Sequence, residues 1–269
     1  LGEKKVNRKN KCGIFISTIG WENHFYEYCE LLKNVPDDVD VYLAVEENNK
    51  HYEEGKIQIC CIGKDAEKFE LLAYFEDKIK AYDVVCLIDS YDEDTFAAYN
   101  VLSAKELLYR EMLESKGYIE QVLLLFEENQ RLGVLIPNAP VHGEYWSLWE
   151  QDWKRSYKQV KELVNKYQLA VDVRKEKESP VAMGNCCWVR KDILEAYLQM
   201  HKGAVEEEIA KNRKNWSYLL PLIAQSRGKF TANVCPKLIG QNLLNTFYGY
   251  RYANIMNTNY YNIAAEVYY

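Results

Sequence analysis

No Cys-x-x-Cys pair occurs among the eight cysteines of this chain, which stand at positions 12, 29, 60, 61, 86, 186, 187 and 235. Its absence removes the ligand spacing of zinc ribbons and the thioredoxin redox motif. Cys60, Cys61, Cys86, Cys186 and Cys187 fall inside apolar runs and read as small buried hydrophobes in a reducing compartment. No apolar run approaches the length of a membrane span, and no signal peptide is visible. Basic charge is scarce: 34 Lys and Arg stand against 40 Asp and Glu, for a net charge of -6 and a pI of about 5.5. A broad nucleic-acid surface needs a basic stripe to displace counterions, so no nucleic-acid partner is expected. The Lys-rich start, Lys4 to Lys11, is too short to change that and reads as a solvated lead-in. No internal repeat and no linker-like stretch marks a clean domain boundary. The chain opens on Leu1 and not on methionine, which reads as a segment of a larger protein. Any membrane anchor would then lie in other segments.

What is present is ample apolar material, 48% of 269 residues, enough for a sizeable core. The 22 tyrosines combine an apolar ring with a polar tip. They suit sugar faces and ordinary cores alike. The most informative stretch runs from Tyr82 to Asp94. Its first half, Val84 to Ile88, is apolar and rich in β-branched residues, as a strand buried on both faces requires. Its second half turns acidic at Asp89, Asp92, Glu93 and Asp94. Carboxylates at the carboxyl edge of an α/β sheet can hold a divalent metal against phosphate oxygens, or fix a ribose hydroxyl. They can equally cap the following helix, with Asp94 as the N-cap.

Read in order, the chain predicts strands at Cys12–Ile16, Val39–Val45 and Ile57–Ile62, with a helix over Asn23–Lys33 between the first two. This βαβ-like order predicts an α/β fold with a largely parallel sheet flanked by helices. Gly63-Lys64-Asp65 leads into a helix carrying Phe69, Leu72, Phe75 and Ile79 on one face. A helix N-terminus behind a glycine turn, with a lysine added, is a seat for a diphosphate or a plain capped turn. Gly117 ends a helix that opens at a Ser103–Glu106 capping box, and Gly133 ends the next, Tyr118–Glu128. A short strand at Val134–Ile136 precedes a loop with two prolines and His142, a stiff rim for a site. Tyr145–Leu169 is a long helix, and Val171–Pro180 a polar loop near the site. Val181–Arg190 is an apolar run broken by Gly184 and Asn185; glycine inside a strand often marks close approach by a ligand. Lys191–Met200 is a helix, Pro221 kinks or begins another, and Phe230–Val234 is a last strand. One domain is expected over 1–239, with a Tyr/Asn-rich extension over 240–269 packed on it.

Five stretches, in order, resemble the rhamnan synthesis protein F family of bacterial glycosyltransferases. They are Gly63–Asp65, Tyr82–Ser90, Leu125–Pro137, Met183–Arg190 and Leu219–Gly228. The Phe-Glu-Glu-Asn…Leu-Gly…Pro and Gly-x-x-x-Trp-x-Arg pieces are the most specific, and the match covers roughly residues 11 to 235. The resemblance implies a nucleotide-diphospho-sugar transferase domain of GT-A-like architecture. It implies transfer of rhamnose or a related sugar from a nucleoside diphosphate to a growing cell-surface polysaccharide. The acceptor would be a lipid-linked or polymeric glycan. The site would be cytoplasmic, at the inner face of the membrane, with peripheral association through other segments or partners.

The donor would sit on Gly63, Lys64, Asp65, Asp89 and Ser90. Asp89 and Asp92 would hold Mg or Mn, and Asp92 or Asp94 would serve as catalytic base. His142, Gly184, Asn185 and Trp188 would meet the sugar or the acceptor. Two departures stand out. Relatives tend to show His-Ser-Lys after the central strand, where this chain has Asp89-Ser90-Tyr91. Many carry a Glu-Arg pair where this chain has Ser217-Tyr218. The alternative is therefore a catalytically degenerate module that binds glycan or a partner enzyme. A phosphatase of the haloacid dehalogenase type would need Asp-x-Asp directly after the strand, and Asp89-x-Tyr91 lacks it.

Overall fold

The computed structural model describes residues 8–17, 32–46, 57–62, 75–88, 111–137, 145–176, 186–204 and 218–234. Seven strands form one sheet: β1 (Cys12–Ser17), β2 (Asp40–Glu46), β3 (Ile57–Ile62), β4 (Val84–Ile88), β5 (Leu132–Pro137), β6 (Cys187–Arg190) and β7 (Phe230–Val234). Their order is β3-β2-β1-β4-β6-β5-β7. All pairings are parallel except those of β6, which runs antiparallel to both β4 and β5. The sheet is mostly parallel, as expected. Strands β1, β4 and β5 are buried at every residue, which is why they appear in sequence as continuous apolar runs.

Alternation sorts the core into two layers. Phe15, Tyr42, Ala44, Val85 and Leu87 face one side, against α1 (Glu76–Ile79), α3 (Tyr145–Lys166), α4 (Lys191–Lys202) and α5 (Leu219–Ser226). Ile14, Ile16, Val41, Leu43, Val84, Cys86 and Ile88 face the other, against α2 (Lys116–Glu128) and Leu32, Met112 and Leu113. Each large apolar side chain fully buried this way stabilises the fold by about 1.5–3 kcal/mol relative to exposure.

The tight packing has local causes. A Cβ on Gly13 would lie 2.7 Å from two ring carbons of Tyr82. That ring cannot move aside freely, because its hydroxyl donates to Asp40 Oδ2 at 2.7 Å and shares a 2.7 Å hydrogen bond with Tyr42. Tyr42 in turn stacks on Phe15, centroids 4.7 Å apart. Glycine at position 13 is what lets the tyrosine ring lie across β1.

Helix boundaries differ from expectation in three places. Gly117 does not end a helix; it is in the first turn of α2, after Ser115, whose Oγ accepts from Tyr118 N at 3.2 Å. Gly133 likewise stops nothing. It sits within β5, where a Cβ would come 2.8 Å from Ala224 Cβ, so its bareness lets α5 approach the sheet. The long helix α3 ends at Lys166, short of Leu169. Gln168 takes φ 52°, its N–H bonds Asn165 O, and Leu169 N–H bonds Val164 O at 3.0 Å. This is a Schellman closure with glutamine in the left-handed position. At Pro221 the second of the two expected readings holds: a helix begins there, with the proline in the first turn of α5, where its missing N–H has no intrahelical partner to lose. The predicted helix over Asn23–Lys33 and the capping box at Ser103–Glu106 lie outside the described residues.

The end of the Lys-rich lead-in is anchored. Lys9 N and Asn10 N donate to Glu127 Oε1 at 2.6 and 2.9 Å, Lys11 N donates to Asp83 Oδ2 at 2.9 Å, and Arg8 pairs with Asp38.

Glu76 ties α1 to α4. Its two carboxylate oxygens take Lys80 Nζ at 2.7 Å and Lys202 Nζ at 2.5 Å. These bonds hold its carboxyl below its ordinary value of 4.5. A depressed carboxyl contributes stability above its unfolded pKa and loses it as pH falls through the folded one. Glu76→Gln is therefore expected to lower the melting temperature at neutral pH, and the deficit should shrink as the pH drops below about 4.5. A deficit constant down to acid pH would show that packing, not charge, makes the link.

Candidate functional site

From β1 the chain builds outward to β2 and β3 on one side, then returns to place β4 on the other side of β1. The order reverses between β1 and β4. In open α/β sheets ligands bind in the crevice at the carboxyl ends of the strands flanking such a reversal. Here that crevice lies beyond Ile16 and Ser17 on β1 and Ile88 on β4, with Ile16 and Ile88 paired in register.

Strand direction determines what else reaches this edge. β3 ends there at Ile62, β5 ends there at Pro137, and antiparallel β6 begins there at Cys187. Gly63, Lys64 and Asp65 follow Ile62 in sequence, and Asp89 and Ser90 follow Ile88. His142 lies beyond Pro137, and Gly184 and Asn185 precede β6. Separate stretches of sequence thus enter or leave the sheet at one edge. Gly63, Lys64, Asp65, Asp89, Ser90, Asp92, Asp94, His142, Gly184 and Asn185 themselves lie outside the described residues.

On β1 and β4, the two strands that flank the reversal, the described part of the edge is apolar, with one exception. β4 presents only Val, Cys, Leu and Ile, all buried, so polar chemistry on this strand begins at Asp89. The exception is Ser17, 1% exposed at the end of β1. A hydroxyl at the reversal point both donates and accepts. The strand expected from the sequence ends at Ile16 and leaves Ser17 outside it. The available signal was a small polar residue closing an otherwise apolar strand.

Trp188 is the one selected residue within the described structure, and its placement corrects the expectation of a sugar-facing ring. It is 0% exposed, belongs to the core layer beneath α2, and pairs with Cys86 on one side and Leu135 on the other. The ring has no face open to a ligand. Arg190, at the end of the same strand, also serves the fold. Its guanidinium donates to Phe126 O at 2.6 Å, Asn129 O at 3.0 Å and Leu132 O at 2.9 Å.

Of the thiols read as buried, Cys86, Cys186 and Cys187 are buried, Cys60 is half-buried, and the side chain of Cys61 lies outside the described residues. Cys12 is buried too, and burial pushes the Cys12, Cys86 and Cys187 thiols far up from their ordinary range. Neutral, enclosed thiols are poor nucleophiles and poor metal ligands. Among the described residues no group of three or more His, Cys, Asp or Glu side chains is placed to hold a metal ion. Among them, too, no helix is long and apolar enough to cross a membrane.

A mostly parallel sheet covered on both faces, with an order reversal at its centre, defines an open α/β fold. The chain belongs to the rhamnan synthesis protein F family, whose family model matches residues 6–224. Membership supports a glycosyltransferase. No curated protein matches the sequence significantly. Among solved structures, a mannosyltransferase from Pyrobaculum calidifontis in complex with GDP-Man and Mn2+ is similar over 84% of this chain, at 9% identity and a TM-score of 0.43. The match covers 55% of that protein, so this chain spans about half its length. A likeness this distant bears on neither donor nor metal here.

Proposed function

We propose that this chain is a GT-A-like glycosyltransferase domain that seats a nucleoside diphosphate sugar at the carboxyl edge between β1 and β4. The sugar, rhamnose or a close relative, would pass to a growing cell-surface polysaccharide, lipid-linked or polymeric. The observation that carries this reading is the order reversal at β1/β4 in a chain of this family.

The chemistry makes two demands. Negative charge builds on the departing diphosphate, so cations or N–H donors must meet it. Lys64, with the backbone of Gly63 and Asp65, would supply them. Asp89 and Asp92 offer hard carboxylate oxygens, a donor set suited to Mg or Mn. A metal held there would neutralise diphosphate charge. The acceptor hydroxyl must also lose its proton, and Asp94, or Asp92 where it is not engaged with metal, would take it. Ser90 would hydrogen-bond the donor. His142, Gly184 and Asn185 would line the sugar and acceptor side.

Ligand-induced thermal stabilisation tests this reading. Nucleoside diphosphate sugars screened with and without Mn2+ should raise the melting temperature. At ligand a hundredfold above Kd the gain is about 2.7 kcal/mol. Asp89→Asn with Asp92→Asn should remove it. Unchanged stabilisation in that double variant would refute a metal-bearing acidic edge.

One observation favours the second reading, a module that binds glycan or a partner enzyme without turnover. Where many relatives place a charged pair, Tyr218 is buried and packs against Trp153, ring centroids 5.4 Å apart. A position able to carry charge is here part of the core. Absence of stabilisation by every donor, with polysaccharide binding retained, would decide for the module.

A further inference from the structure

The outer face of α3 carries a concentration of exposed positive charge. Trp153, Val160, Leu163 and Val164 turn inward to the core. Lys154, Arg155, Lys158, Lys161 and Lys166 are exposed on the other side. Glu162 is the only acid among the described side chains of this helix, and Glu150 and Asp152 precede them in its first half. Lys154, Lys158 and Lys161 recur at i, i+4 and i+7, so they form one row along the helix. Tyr157 is half-buried beside the row, and the Lys161 ammonium reaches its hydroxyl at 3.2 Å. This row belongs to a chain whose net charge is -6.

We infer that this face of α3 is a docking surface for an anionic lipid bilayer. The occupant follows from charge and shape. The cations lie in a straight row along a single helix, which a flat anionic surface can meet all at once. The apolar face of α3 is already buried in the core, so the contact is electrostatic, without insertion of the helix. Each lysine near an anionic leaflet strengthens attachment by about fivefold, and the row supplies several at once. The inference goes beyond sugar transfer and is testable without it.

The experiment is co-sedimentation with vesicles of equal parts phosphatidylglycerol and phosphatidylcholine, against pure phosphatidylcholine. The unaltered chain should sediment with the anionic vesicles only, and binding should fade as salt shortens the Debye length from about 10 Å to about 3 Å. Lys158→Gln with Lys161→Gln, both exposed and clear of the core, should weaken binding on the order of 25-fold. Lys9→Gln with Lys116→Gln makes the same charge change elsewhere and should have little effect. Failure of the unaltered chain to bind anionic vesicles would overturn the inference. So would equal losses in the two double variants, or tighter binding to a soluble polyanion such as heparin or RNA than to the vesicles.

Discussion

Trp188→Ala is expected to destabilise the fold by about 3–5 kcal/mol, the range for removing a large aromatic from a packed core. The indole is fully enclosed, so nothing outside can fill the space it leaves. Its strand joins the two parts of the sheet, pairing β4 on one side and β5 on the other. A cavity there loosens both pairings. The indole N–H has no hydrogen-bond partner, so the side chain contributes through its volume alone. Trp188→Phe keeps much of that volume and removes a buried unpaired donor, and should cost less than about 1.5 kcal/mol. Urea unfolding of the two variants measures both. A loss below about 1 kcal/mol for the alanine variant would mean that the ring is not a core member. If Trp188 were a sugar platform, the phenylalanine variant would change ligand affinity at nearly constant stability; the burial predicts no such change.

The second large effect belongs to Arg190. Helix α2 ends with carbonyls that have no intrahelical partner and carry the negative end of the helix dipole. The Arg190 fork meets two of the carbonyls at this end, Phe126 O and Asn129 O, and a third at the start of β5, Leu132 O. The guanidinium carbon also lies 5.3 Å from the centre of the Phe126 ring. One side chain thus ties β6, α2 and β5 together. Burial draws its pKa below the ordinary arginine value, a sign of partial desolvation. Arg190→Ala leaves these carbonyls short of donors and should cost about 3 kcal/mol. Arg190→Lys keeps the charge but cannot reproduce the planar fork, so it should recover less than half of that. Equal stability of the lysine and arginine forms would show that charge alone, without the fork, caps α2.

Together these residues change the meaning of the stretch Met183–Arg190. In sequence its glycine, asparagine and tryptophan looked like a ligand face. In the fold, its second half is a structural joint. The apolar run and the arginine were legible; their purpose was not, because burial from both faces and a hydrogen-bonded arginine depend on partners some 60 residues away in sequence.

Most of the strand pattern needed no structure. Ile57–Ile62, Val84–Ile88 and Phe230–Val234 were bounded correctly from apolar runs and turn residues alone. Val84–Ile88, buried at every residue, has no other means of appearing in sequence. The glycines show the limit of local reading. Gly117 and Gly133 resemble helix stops by residue type, yet one lies in the first turn of a helix and the other serves the close approach of Ala224. The end of α3 at a left-handed glutamine left no compositional trace at all.

The sequence by itself therefore determined the class of fold, the family, the buried strands and the acidic residues that follow β4. Each depends on composition and period along the chain. Tertiary structure alone decided that β6 runs antiparallel between β4 and β5, that the strand order reverses beside β1, and that Trp188 points into the core. The reason is physical. Period and burial are inscribed locally, residue by residue. Strand direction and neighbour come from hydrogen bonds and packing between segments far apart in the chain, and those interactions form only in the assembled sheet.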